Sequence, residues 1–180
     1  MTAPRWIETG AGPRGLLFLH GVSGGAQGAA SILPAITPPG WRGLAWDMPG
    51  YGASAPIDPV DFDGYAAAVV DLLDAAGLER AVLVGHSMGG MVILHMLRRH
   101  GHEFGKNGLP KLGRVVLCGS PINGSHSAQE VQRWPVVGRA LGKSILDWPG
   151  IAREELPSDL DIGVLAGTRN LGFGRVVKTL

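Results

Sequence analysis

Apolar residues along this chain fall into short runs separated by turn-forming stretches, with two longer helical patterns between them. Leu16-Leu17-Phe18-Leu19, Gly43-Leu44-Ala45-Trp46, Ala81-Val82-Leu83-Val84, Arg114 to Cys118 and Ile162 to Ala166 are of strand length and mostly apolar on every side, as strands covered on both faces are. Arg5 to Thr9 predicts one more short strand, and Gly10-Ala11-Gly12-Pro13-Arg14-Gly15 predicts a turn that joins it to the Leu16 run as an opening hairpin. Gln27 to Ile36 predicts a short helix. From Phe62 to Ala76, Phe62, Ala66, Val69, Val70 and Leu73 recur at helical spacing, with Gly77 where a left-handed cap belongs. A second helix is predicted from Met88 to about Arg99. Strand runs alternating with helices predict an α/β class: a mostly parallel sheet with helices on both faces. Between Pro121 and Leu160 the pattern loosens around Trp134-Pro135 and Trp148-Pro149, and this stretch reads as a cap or lid over the carboxyl ends of the strands. With no internal repeat and no Gly/Ser linker, residues 1–180 read as one domain.

Composition narrows the function more than the fold. Of 180 residues, 45% are hydrophobic and 17% charged, a globular balance, while 29 glycines imply many tight turns or close backbone approaches. A net charge of +1, with Arg98-Arg99-His100 as the one dense basic run, argues against nucleic acid; that run fits a helix C-terminus. Cys118, the single cysteine, excludes an intrachain disulfide and reads as a buried strand residue. No stretch of about 18 apolar residues occurs, and Met1 to Gly10 lacks the pattern of a signal peptide, so no membrane association and a cytoplasmic location are expected.

The chemistry concentrates at Gly85-His86-Ser87-Met88-Gly89, directly after one strand run and directly before a helix. This is the pattern of a nucleophile elbow, in which a sharp strand-to-helix turn exposes a serine hydroxyl and glycines let two backbones approach. The N–H groups at the start of the helix can stabilise negative charge developing on a substrate oxygen. Together with Leu19-His20-Gly21-Val22-Ser23-Gly24-Gly25, Asp47 to Ser54 and the following Gly90, these residues resemble the α/β-hydrolase superfamily. The first half is similar to its esterase and enol-lactonase group; Gly119 to Ser125 resembles a segment of lipase-like members. The resemblance implies a catalytic Ser87, oxyanion-hole donors at the backbone N–H groups of Val22 and Met88, scaffold roles for His20 and His86, and a loop-supporting role for Asp47.

A serine nucleophile needs a base within hydrogen-bond reach and a group to orient that base. In this fold the order along the chain is serine, acid, histidine. After Ile162 to Ala166 the position for the acid reads Gly167-Thr168-Arg169-Asn170, without a carboxylate, and no histidine follows. The histidines after Ser87 are His95, His100, His102 and His126. His95 falls within the helix after the elbow, and His100 and His102 lie near its far end, about 18 Å away by helical rise. His126 is the in-chain candidate base, with Glu130 and Asp147 as candidate orienting acids. The expectation is a C-terminally shortened member of the superfamily, with a sheet edge at Ile162 to Ala166 open to homo-oligomer formation.

Other signals are set aside. Gly142-Lys143-Ser144 lacks the earlier glycine and the strand of a phosphate-binding loop, His95, His100 and His102 lack a metal-binding spacing, and Gly85 to Gly90 lacks a dinucleotide fingerprint. No metal and no cofactor are expected. Two functions remain: a serine hydrolase acting on small-molecule carboxylic esters through an acyl-enzyme at Ser87, or a binding or interaction protein that kept the fold and lost the triad.

Overall fold

The computed structural model describes residues 2–22, 24–120 and 156–166. Six strands, β1 (Trp6–Gly10), β2 (Arg14–Leu19), β3 (Arg42–Trp46), β4 (Arg80–His86), β5 (Lys111–Cys118) and β6 (Asp161–Leu165), form one sheet in the order β1-β3-β2-β4-β5-β6. β1 runs antiparallel to β3, and every other pairing is parallel. The α/β class and the mostly parallel sheet expected from the apolar runs are therefore what the chain forms.

Helices lie on both faces because adjacent strand residues point opposite ways. Leu17, Leu19, Leu44 and Leu83 face α2 (Phe62–Ala76) and α3 (Met88–His100) in the main core, while Leu16 and Ala45 face the small cluster around Ala29 and Leu33 of the segment between β2 and β3. The α2 helix begins where Asp61 caps it, accepting a hydrogen bond from Gly64 N–H at 2.7 Å, and ends at Gly77 in the left-handed conformation. Burial of its stripe from Phe62 to Ala76 matches the 3.6-residue pattern. Unlike α2, α3 is buried continuously from Met88 to Leu97, so it runs through the core.

Three expectations are corrected. β1 and β2 do not form a hairpin: β3 lies between them, and β1 pairs with β3. The glycines that read as a hairpin turn instead let the chain pass the start of β3, because Gly10 adopts φ 71° and a Cβ there would meet the carbonyl of Trp41. The segment Gln27 to Ile36 is not one helix but a 3-10 turn (Ala26–Ala29) and a single α-turn, α1 (Leu33–Ile36). Pro34 accounts for the break, since it has no N–H to give to the carbonyl of Ala30 and its ring crowds that carbonyl. Cys118 is half-buried instead of buried, and its thiol is free. Most of the cap expected at 121–160 lies outside the described residues.

Gly10→Ala is expected to cost more than about 1 kcal/mol, because it combines a positive φ with a backbone clash. Gly28→Ala, where a Cβ meets nothing within 4 Å, is expected to change stability by less than about 0.5 kcal/mol. Urea denaturation of the two variants checks the pair, and equal losses would contradict the role given to Gly10.

Candidate functional site

Ser87 stands at the junction of β4 and α3 with φ 53° and ψ −121°, one of two non-glycine residues at positive φ among the described residues. Such a conformation costs about 1–3 kcal/mol and persists only where the surroundings over-determine it. Here they do. The Ser87 N–H donates to the carbonyl of Cys118 at 2.9 Å, and the Ser87 carbonyl accepts from Gly90 N–H at 3.1 Å. On the opposite flank a Cβ on Gly89 would strike the carbonyl of Leu19, so the first turn of α3 lies directly against the end of β2.

The same closeness brings the loop after β2 over the serine. A Cβ on Gly21 would lie 2.8 Å from Ser87 Cβ and 3.2 Å from its Oγ. Among the described residues the Ser87 hydroxyl has no hydrogen-bond partner, and it does not cap α3 although it occupies the N-cap position. Nor are the N–H groups of Val22 and Met88 engaged there. The geometry thus joins Ser87, Gly21-Val22 and the N-terminus of a 13-residue helix, whose dipole favours negative charge at this end.

His20 directly follows β2 and is 3% exposed. Its Nε2 accepts from Met48 N–H at 3.1 Å, so Nδ1 carries the proton and donates to the carbonyl of Gly21 at 2.7 Å. Both ring nitrogens are committed, and the imidazole acts as a strut between the loops after β2 and β3. Burial pushes its pKa below the ordinary histidine value. Asp47 makes a similar tie: Oδ1 accepts from Ala26 N–H at 2.8 Å and Oδ2 from Ala53 N–H at 3.1 Å. Its own carbonyl accepts from the Ser54 hydroxyl at 2.6 Å, and Ser54 Oγ in turn accepts from Arg5 N–H at 2.8 Å.

The remaining described histidines do not meet the serine. His86 closes β4 with an exposed side chain, and His102 lies exposed in the turn after α3. His95 Nε2 is 2.7 Å from Asp63 Oδ1, and His100 pairs with Glu103 at 2.8 Å. Asp63 also receives two hydrogen bonds from Arg99, each of 2.8 Å, and these contacts hold its carboxyl well below the usual carboxylate range. This ion-paired cluster bridges α2 and α3; residues 32 apart in the chain leave no local pattern by which it could be found. The candidate base His126 and the candidate acids Glu130 and Asp147 lie outside the described residues, as does Gly142-Lys143-Ser144. No metal-binding group of three His, Cys, Asp or Glu side chains occurs among the described residues, and no helix among them is long and apolar enough to cross a membrane.

Because burial lowers the His20 pKa, protonation opposes folding, and the stability tied to its neutral form is full above pH ~6.5 and lost as the pH falls through its folded-state value. His20→Ala is expected to lower stability by about 2 kcal/mol at pH 7 by leaving the buried Met48 N–H unpaired. Its thermal midpoint should also fall less between pH 7 and pH 5 than that of the wild type. Parallel slopes in thermal melts would show that His20 is not buried in its neutral form.

Comparison with known proteins gives a consistent set of relatives. A family model described as alpha/beta hydrolase fold matches residues 16–151. A 2-hydroxy-6-oxononadienedioate/2-hydroxy-6-oxononatrienedioate hydrolase of Pseudomonas sp is 30% identical over 163 residues, 88% of this chain and 53% of the relative. The non-heme chloroperoxidase CPO-A1 of Kitasatospora aureofaciens is 38% identical over 89 residues, 49% of this chain and 32% of the relative. A solved hydrolase from Pseudomonas aeruginosa PA01 superposes with a TM-score of 0.56 at 28% identity, covering 71% of this chain and 46% of that one. The chain spans about half the length of these relatives, or less.

Proposed function

The chain belongs to the alpha/beta hydrolase fold family, and from that premise we propose that it is a serine hydrolase that cleaves carboxylic esters of small molecules through Ser87. The observation that carries this reading is the Ser87 hydroxyl, without a partner among the described residues, held at positive φ between Gly21 and the N-terminus of α3. In the proposed reaction a base takes the hydroxyl proton as Ser87 Oγ attacks the acyl carbon. The carbonyl oxygen gains the negative charge and is met by the N–H groups of Val22 and Met88. Collapse breaks the ester C–O bond, the alcohol leaves with the proton, and water releases the acid from the acyl-enzyme by the same route. His126 is assigned the part of the base, with Glu130 or Asp147 as its orienting partner. Residues 1–180 are read as one domain, with 121–160 as the cap that shapes the acyl pocket.

A second reading has its own support. Among the described residues no imidazole is hydrogen-bonded to Ser87, and both nitrogens of His20 are committed elsewhere. A protein of this fold without a working base would bind acyl compounds and turn them over weakly, since oxyanion donors and binding alone leave about 10³–10⁴ of acceleration over water. The relatives also bear the names of a hydrolase and a chloroperoxidase, so the ester bond is the part of the proposal that rests on Ser87 chemistry alone. Self-association along β6 belongs to the first reading: it is one of the two edge strands of the described sheet, and Val164 and Leu165 on it are 42% and 62% exposed.

Hydrolysis of a short-chain p-nitrophenyl ester is expected to fall by about 10³-fold or more in Ser87→Ala; rates equal to the wild type would favour the binding reading. For β6, sedimentation at micromolar concentration is expected to show a dimer that Val164→Lys weakens, and a monomer throughout would remove the edge contact from the account.

A further inference from the structure

The loop that follows β5 touches the elbow on both sides of Ser87. Cys118, opposite His86 in the register of β4 and β5, supplies the carbonyl that receives Ser87 N–H. The chain then turns at Gly119, at φ 57°, whose N–H donates to the carbonyl of Leu165 at 2.9 Å, so β6 anchors the loop. The next residue, Ser120, fills the space over Gly90: a Cβ there would meet Ser120 Oγ and would lie 2.7 Å from Ser120 Cβ. Ser120 Oγ is also 3.5 Å from the carbonyl of Gly85, two residues before Ser87. Gly90 is the residue whose N–H holds the Ser87 carbonyl at 3.1 Å. One side chain therefore reaches the end of β4 and the first turn of α3, between which the strained serine backbone is suspended.

We infer that Ser120 is a positioning residue for Ser87, a strut from the β5–β6 edge that acts through Gly90 and Gly85. This deepens the serine-hydrolase reading and rests on it for its catalytic consequence. The contact is mainly steric, because a 3.5 Å approach is at the limit of a hydrogen bond. Position 90 is then restricted by position 120, in a graded way. Ser120→Ala removes the Oγ but keeps the Cβ, whereas Ser120→Gly removes both and leaves Leu117 Cδ2 at 3.2 Å as the nearest remaining neighbour of the added methyl. A shifted Gly90 moves the Ser87 backbone and hence the attack geometry, for which a displacement of about 1 Å costs on the order of 100-fold in rate.

The test is a mutant cycle on the full chain: Gly90→Ala, Ser120→Ala, Ser120→Gly and the two doubles, with ester turnover and thermal midpoint measured for each. Gly90→Ala alone is expected to lower kcat by about 10- to 100-fold with KM changed by less than about 2-fold. Ser120→Ala should restore part of that loss, and Ser120→Gly should bring the double to within about 3-fold of its own single variant, with thermal midpoints rescued in the same order. Additive losses at positions 90 and 120 in both readouts would overturn the strut. If the wild type hydrolyses no faster than Ser87→Ala, the hydrolase reading fails on its own, and the midpoint cycle still decides whether Ser120 and Gly90 are coupled.

Discussion

The backbone of Ser87, at φ 53° and ψ −121°, is the conformation around which the rest of this structure is arranged. Left alone, an L-residue avoids it. It is held by β2 on one side, where Gly21 and the end of the strand crowd the elbow, and by β5 on the other, where the carbonyl of Cys118 takes the serine N–H. That arrangement requires β2, β4 and β5 to lie adjacent and parallel with their carboxyl ends in register, which the pairings Leu19 with Gly85 and His86 with Cys118 provide. The buried path of α3 follows from the same demand, since its first turn must sit between the strand ends to point its N–H groups at the serine.

Polar residues near the elbow spend their capacity on the loops. His20 joins the chain after β2 to the chain after β3, and Asp47 does the same through Ala26 and Ala53. An imidazole with one nitrogen donating and the other accepting is a poor base, and its lowered pKa keeps it neutral. The Asp63, His95 and Arg99 cluster, about two to three helical turns along α3, ties that helix to α2. In the proposed reaction the described residues contribute Ser87 and the N–H groups of Val22 and Met88, and the part of proton acceptor is assigned to His126.

Much of this was legible in the residues. Apolar runs of four or five mark the central strands β2, β3 and β4 because a parallel sheet buries both faces there, whereas β6, read from the same pattern, is largely exposed among the described residues. Gly77 marks the end of α2 because a left-handed cap depends on local chemistry. Gly85-His86-Ser87-Met88-Gly89 was legible for the same reason: a strained turn needs its glycines in fixed places. What was not legible depends on long-range partners. Gly10 to Gly15 has the composition of a hairpin turn, and only the insertion of β3 changes its meaning. The bond between Asp63 and His95 and the contact of Ser120 with Gly90 join residues that no sequence spacing relates. Pro34, by contrast, is visible in the sequence and divides a segment whose apolar spacing predicts one helix.

The proposed reaction requires the elbow to arm Ser87 as a nucleophile. Intact-mass measurement after exposure to a small fluorophosphonate tests it most directly, because covalent capture needs an activated hydroxyl but no particular ester. One phosphonyl group per chain is expected, located on the peptide that carries Ser87 and absent in Ser87→Ala. An unlabelled wild-type protein that is folded by thermal melting would contradict it.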